Sequence, residues 1–362
     1  MSVYPSELLF YGCADMPEAD GATVGGAVDF AKKVTFYDLT ATGALDYFSS
    51  SASDTATKIT LSGRDGTGVI QNETVTLNGT TQVAGSISFQ RILYAASSGA
   101  GGGGPLANPG GTTAVGDLCA MSSTRTISGH TARAGSADHT GTTPPLFYLQ
   151  TGDGASCQIG MVLRITGGTG ANQIRSIVAT SGYGTDVVAV SRDWSTIPDA
   201  TSTYDVAPGI VFDLAPSQIT QVIRTFATVS SDIVGGSTRT YYEKVFAVNT
   251  DTATALTVAS ILKQTDPAGL YTGGGALDFA LTSALNDTGT VTNRQTAPAS
   301  GITAFSTGAA PQTIAVPGPQ NLPSGAVPNA AGAQGSWWRL TLPAGLAPGD
   351  SSFTQRVTGQ TT

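Results

Sequence analysis

The sequence predicts an all-β protein, and three observations carry that prediction. Glycine fills 46 of 362 positions, well above the ~7% of average chains, and suits tight turns better than helices. Thr and Val recur where a helical chain would hold Leu, Lys, Glu and Met, and these β-branched side chains fit a pleated surface. Short apolar and polar alternations of period two are separated by glycine-rich turns along the chain. An apolar fraction of 40% fills real cores. A length of 362 residues exceeds the ~150 to 250 at which a single core stops growing, so several domains are expected.

The first strands are expected at residues 32–39 and 57–61. In Glu73-Thr74-Val75-Thr76-Leu77, the apolar Val75 and Leu77 share one face and the threonines the other. Asn78-Gly79 follows as a tight-turn signal. Residues 86–93 resume the sheet, and the loop 62–68 uses glycine for left-handed backbone. Residues 1–95 are therefore expected to form an N-terminal β-sandwich. Residues 96–145 open on a run from Ser97 to Pro105 with four consecutive glycines, and Ser, Thr and Gly dominate the rest of the stretch. They read as a linker or surface excursion.

Beyond it, Met161, Leu163 and Ile165 alternate, 174–179 and 187–190 supply returning strands, and Trp194 with Pro198 marks a turn before 204–206. Residues 146–210 are thus expected to form a small β domain. The remainder, 211–362, carries a long strand at 240–249, with Tyr242, Lys244, Phe246 and Val248 on one face. Tyr241, Glu243, Val245 and Ala247 occupy the other. Further strands are expected at 255–262, 276–281, 337–342 and 353–357, and residues 216–226 fit either a short helix or a strand. Pro311, Pro317, Pro319, Pro323 and Pro328 forbid a central strand between 298 and 334, which reads as an extended arm. The strand spacing is that of immunoglobulin-like sandwiches. The expectation is two immunoglobulin-like β-sandwich domains flanking a small β-barrel-like unit, with extended Gly- and Pro-rich arms.

Seventeen basic against 25 acidic residues leave a formal charge of −8, a field that repels nucleic acid. No apolar run approaches the ~18 to 20 residues of a membrane helix, and the first ten residues lack a basic signal-peptide start. Neither nucleic acid nor membrane is therefore expected as a partner. Cys13, Cys119 and Cys157 are too few and too scattered for a disulfide framework and point to a reducing compartment, with a Cys119–Cys157 pair left open.

The chemistry-bearing residues are sparse. His130 and His139 lie in the excursion and read as solvated loop positions, and with Cys119 and Cys157 they match no compact metal spacing. Gly167-Gly168-Thr169-Gly170 lacks a following Lys-Ser or Lys-Thr and a helix, so it reads as a hairpin turn and not a phosphate loop. No Gly-x-Ser-x-Gly elbow occurs. The carboxylates Asp213, Asp232, Glu243, Asp251 and Asp266 show no spacing that marks a glycosidase pair. No catalytic or metal residue is assigned, and no cofactor is expected. On Trp337-Trp338 alternation turns one indole inward and the other outward. The candidate interface residues are Trp337, Trp338 and Trp194, with Pro317, Pro319 and Pro323 on the arm.

The segments Leu61-Ser62-Gly63-Arg64-Asp65-Gly66-Thr67-Gly68, Glu73 to Thr81, Arg239 to Phe246 and Leu342 to Val357 resemble those of virion structural proteins of tailed bacteriophages. The resemblance touches most β segments but not 96–145, and it carries no catalytic residues. It implies a non-enzymatic particle component, assembled in the host cytoplasm, with the major capsid protein or other virion subunits as partners and self-association into symmetric oligomers. An external capsid decoration or cement role is the narrower expectation, suited to an acidic chain kept away from packaged DNA. The alternative is a tail, neck or tail-tip protein that binds a host receptor or carbohydrate through Trp194, Trp337, Trp338 and the eleven tyrosines.

Overall fold

The computed structural model describes residues 3, 7–17, 19–34, 38–101, 104–140, 143–213, 219–229, 235–251, 254–265, 270, 273–306, 312–313, 322, 332–346 and 353–361. Strands make up 50% and helix 1%, so the all-β expectation holds. In chain order, β1 (Leu8–Asp15) and β2 (Val24–Lys33) form an antiparallel pair broken by two register shifts. Next come β3 (Leu45–Ser49), β4 (Lys58–Arg64), β5 (Ile70–Thr76), β6 (Val83–Ala84) and β7 (Arg91–Ser97). On β5 the expected alternation appears, with Val75 buried and Thr74 and Thr76 exposed, and Gly79 takes φ +57° in the following turn.

The stretch 96–145 is more than a linker, because β8 (Leu118–Ser122) and β9 (Ile127–Thr131) lie within it. Leu118, Cys119, Ala120 and Met121 are all buried, so β8 lacks the alternation by which a half-exposed strand is recognised. β10 (Leu146–Tyr148), β11 (Val162–Gly167), β12 (Ile174–Ala179), β13 (Val187–Val190) and β14 (Thr203–Ala207) follow. With β9 they make a six-stranded sheet ordered β10-β13-β12-β11-β14-β9 around Phe147, Leu163, Ile165, Trp194 and Tyr204. The small β unit therefore begins at Ile127, ahead of the expected residue 146. β15 (Gly209–Phe212) returns to β8 and completes a four-stranded sheet β15-β8-β3-β6. Phe48, Cys119, Met121 and Val211 of that sheet cluster with Val162, Ile174 and Ala207 of the small unit.

β16 (Gln221–Ile223) resolves the helix-or-strand alternative as a strand. The chain then forms β17 (Arg239–Asn249), β18 (Leu256–Thr265), β19 (Ala276–Leu285), β20 (Thr290–Val291), β21 (Gln312–Thr313), β22 (Ala333–Leu342) and β23 (Thr354–Thr361). β21, β18 and β23 make a three-stranded sheet. The largest sheet has ten strands, ordered β19-β22-β17-β1-β2-β16-β7-β4-β5, with β20 against β2.

This order joins the segments read as separate sandwiches at 1–95 and 211–362. β1 pairs with β17, placing Leu8 opposite Asn249, and β16 lies between β2 and β7. Sequence composition marks where a strand is, whereas pairing depends on which distant strand completes its hydrogen bonds. Of the expected arm, Ile302 and Ser306 bridge β19, while Pro311, Pro317, Pro319, Pro323 and Pro328 lie outside the described residues.

Candidate functional site

The candidate interface tryptophans are interior: Trp337, Trp338 and Trp194 are 2%, 0% and 4% exposed. Alternation does turn Trp337 and Trp338 to opposite faces, but β22 runs between β17 and β19 and both of its faces are covered. Trp338 stacks on Phe279 with ring centroids 5.0 Å apart and meets Phe353 at 4.5 Å, whereas Trp337 packs with Val24, Tyr242 and Val291. Trp194 donates its indole N–H to the Leu146 carbonyl at 3.1 Å, under the Arg175 guanidinium. A receptor-binding platform built on these indoles therefore loses its basis. Pro317, Pro319 and Pro323 fall outside the described residues.

Buried charge is concentrated where distant segments meet. Glu243 and Lys244 are successive on β17, so they project to opposite faces. The Glu243 carboxylate accepts the Arg294 guanidinium and, through its other oxygen, the Phe226 N–H at 2.9 Å. Burial pushes the Glu243 pKa up, and Arg294 pulls against that shift. Lys244 donates to the carbonyls of Gly26, Asp287 and Gly289 at 3.0, 2.8 and 3.2 Å and pairs with the Asp287 carboxylate. Burial lowers its pKa, and Asp287 opposes the change. Lys32 reaches the Cys13 and Ala14 carbonyls beside the irregular β1–β2 ladder and pairs with Asp29 at 3.1 Å. Lys32 thus satisfies carbonyls beside the shifted β1–β2 register, and Lys244 adds its ammonium group to the carbonyls where β2 meets residues 287–289.

A second junction gathers around Asp117, whose carboxylate takes Arg175 at 3.1 Å and also Arg192. Burial lowers the Arg175 pKa to about 10, with Asp213, Asp138 and Asp193 pulling upward. Asp213 meets Lys33 of β2 at 3.4 Å and Ser191 at 3.3 Å, so the small unit, the four-stranded sheet and the ten-stranded sheet share one polar seam.

Both histidines have carboxylate partners; His139 is an exposed loop residue as expected, whereas His130 is a partly exposed residue of a strand. His130 lies on β9 with Nδ1 2.8 Å from Asp153, whose same oxygen accepts the Tyr204 hydroxyl. Burial and that hydrogen bond raise the Tyr204 pKa. His139 Nε2 lies 3.5 Å from Glu7. Asp213, Glu243 and Asp251 engage separate partners, Lys33, Arg294 and the Thr254 N–H, while Asp232 and Asp266 lie outside the described residues. The three cysteines are free and buried, which closes the Cys119–Cys157 alternative, and burial pushes each thiol up to about 12. Gly168 and Gly170 take φ +72° and +76° in the expected turn between β11 and β12. Among the described residues, no group of three or more His, Cys, Asp or Glu side chains is placed to hold a metal ion.

Sequence reasoning missed Asp117, Arg175, Arg294 and Lys32. The available signal was a lone charge inside an apolar strand, as with Arg175 in Ile174-Arg175-Ser176-Ile177-Val178-Ala179, because such a charge is buried only with a partner. Compared with protein-family models, with curated proteins and with solved structures, the chain matches none.

Proposed function

We propose that the chain is a structural component of a tailed-phage virion, working as an external capsid decoration or cement protein through contacts with the major capsid protein and with its own copies. The placement in a phage particle rests on the sequence resemblance of the Leu61 to Gly68, Glu73 to Thr81 and Arg239 to Phe246 segments. The observation that carries the mechanical part is the use of buried charge. Asp117 with Arg175 and Arg192, Glu243 with Arg294, and Lys244 with Asp287 each tie together segments far apart in sequence. The Asp117 pairs join the four-stranded sheet to the six-stranded one, whereas Glu243–Arg294 and Lys244–Asp287 tie connections to β17 within the ten-stranded sheet, and such pairs specify an arrangement more than they add net stability. A cement protein needs a body that keeps its shape while neighbours pull on it, and loops and edges that meet those neighbours.

Mass spectrometry of purified particles tests this reading. The chain is expected among the virion proteins in many copies. Its absence would overturn the proposal, and a handful of copies would move it from the head to the neck or tail tip.

A further inference from the structure

Asn78-Gly79 is the one Asn-Gly pair of the sequence, and its chemistry reaches beyond making a turn. In such a pair the backbone nitrogen of the glycine attacks the asparagine side-chain amide, because no Cβ stands in the way. The Gly79 N–Cγ bond forms, the Cγ–Nδ2 bond of Asn78 breaks, and ammonia leaves with the proton of the Gly79 N–H. Water then opens the five-membered imide at either carbonyl, giving aspartate or isoaspartate. No oxidant or cofactor takes part. The reaction needs water at the site and a Gly79 nitrogen free to lose its proton and swing toward Asn78 Cγ.

Water is present, since Asn78 is exposed on the turn after β5. The nitrogen is not free. Gly79 N–H donates to Asp54 O at 3.1 Å, and Gly79 O accepts the Ser49 N–H at 3.1 Å. On the other side of Asn78, Leu77 N–H donates to Thr57 O at 2.9 Å, and Thr81 N–H closes the turn on Asn78 O at 3.1 Å. Gly79 lies so near Ala52 that an added Cβ would stand 2.7 Å from its carbonyl oxygen. The backbone is therefore held on both sides of the reactive amide.

The residue that holds the nitrogen is itself fixed. Asp54 is fully buried, and its carboxylate accepts the Ser49 hydroxyl at 2.5 Å, the Val115 and Gly116 N–H groups at 2.8 and 3.0 Å, and the Thr57 hydroxyl at 3.4 Å. Pulling Asp54 away would leave buried donors and a buried carboxylate without partners, so Gly79 N–H is released only in a locally opened state.

We infer that Asn78 is a self-modification site gated by the Asp54 anchor. While the anchor is closed the turn keeps its amide, and when it opens Asn78 converts to aspartate or isoaspartate. The product acts beyond the turn. Thr80 O accepts the Arg164 guanidinium of β11 at 3.3 Å, so the extra backbone carbon of isoaspartate displaces a contact between this turn and the small unit. The new carboxylate also adds to a chain already at −8. The inference stands on local chemistry and does not depend on the particle reading.

Peptide mapping by mass spectrometry tests it on the full-length chain incubated in mildly alkaline buffer, with conversion read from the gain in mass and the isoaspartate content at Asn78. In denaturant Asn78 is expected to convert faster than any other asparagine of the chain. In the native protein it is expected to convert about tenfold more slowly, or slower still. Asp54→Ala, confirmed as folded by circular dichroism, is expected to raise the native rate toward the denaturant value without changing the latter. Should Asp54→Ala fail to fold, Ser49→Ala, which takes one hydroxyl from the carboxylate, replaces it. Equal rates in the native and unfolded chain, an inert Asn78 in denaturant, or a folded anchor variant no faster than wild type overturns the inference.

Discussion

The Glu243–Arg294 pair offers the sharpest test of how the connections of the ten-stranded sheet are held. Arg294 is fully buried and Glu243 is 6% exposed, so Arg294→Met strands the Glu243 charge away from water, whereas Glu243→Met leaves the buried Arg294 with the longer Asp20 contact at 4.0 Å. Arg294→Met is expected to cost about 3–5 kcal/mol, a large share of the ~5–15 kcal/mol of a typical folded protein. Glu243→Met also strips the Phe226 N–H of its acceptor, which adds about 1–3 kcal/mol. The double substitution leaves no stranded charge, only that unpaired N–H, and is expected to cost less than either single change. Urea unfolding followed by tryptophan fluorescence gives the three differences from the shift in midpoint and the slope. Singles below about 1 kcal/mol, or a double equal to their sum, would refute the reasoning. The pH dependence has a definite sign. Burial raises the Glu243 pKa above its ordinary 4.5, so the native state binds this proton more tightly. Its contribution to stability falls as pH rises through the range above 4.5, and Glu243→Met removes that slope.

Three further outcomes are expected. Burial holds Cys13, Cys119 and Cys157 near 12, so a thiol reagent at about pH 8 should find none in the native protein and all three after unfolding; the same shift makes stability decline as pH rises from 9 toward 12, and a fast-reacting native thiol would contradict it. Asp65 is drawn down to about 2 by the Thr67 hydroxyl and then Gln71, so its contribution is present above pH 3.8 and lost as pH falls toward 2; Asp65→Asn should flatten that acid limb in thermal melts, and parallel curves would count against the turn anchor. Gly25 has φ +112°, and an added Cβ would lie 2.6 Å from the Gly289 carbonyl and 3.0 Å from Trp337, so Gly25→Ala should lower stability by about 1–3 kcal/mol in the urea assay; an unchanged midpoint would contradict the close approach of β2 and β20.

The strands most legible in the sequence are those with a clear period or sharp boundaries. β12 and β13 fall on 174–179 and 187–190 as expected, bounded by glycine and proline turns. β3 and β8 escape because every residue of Leu45–Ser49 is buried and Leu118 to Met121 likewise, which erases the alternation. β1 escapes because Gly12 and two register shifts interrupt it at the centre of the sheet. Trp337 and Trp338 show the limit of period two. Alternation gives their directions correctly, but whether a face is open depends on elements elsewhere in the chain. The same holds for Glu243, whose partner Arg294 is 51 residues away and leaves no mark in local spacing.

The most direct measurement is a three-dimensional electron-microscopic image of purified particles. The expected result is density matching the ten-stranded sheet, repeated over the outside of the head shell. Particles whose surface and tail hold no such density would contradict the proposed role outright.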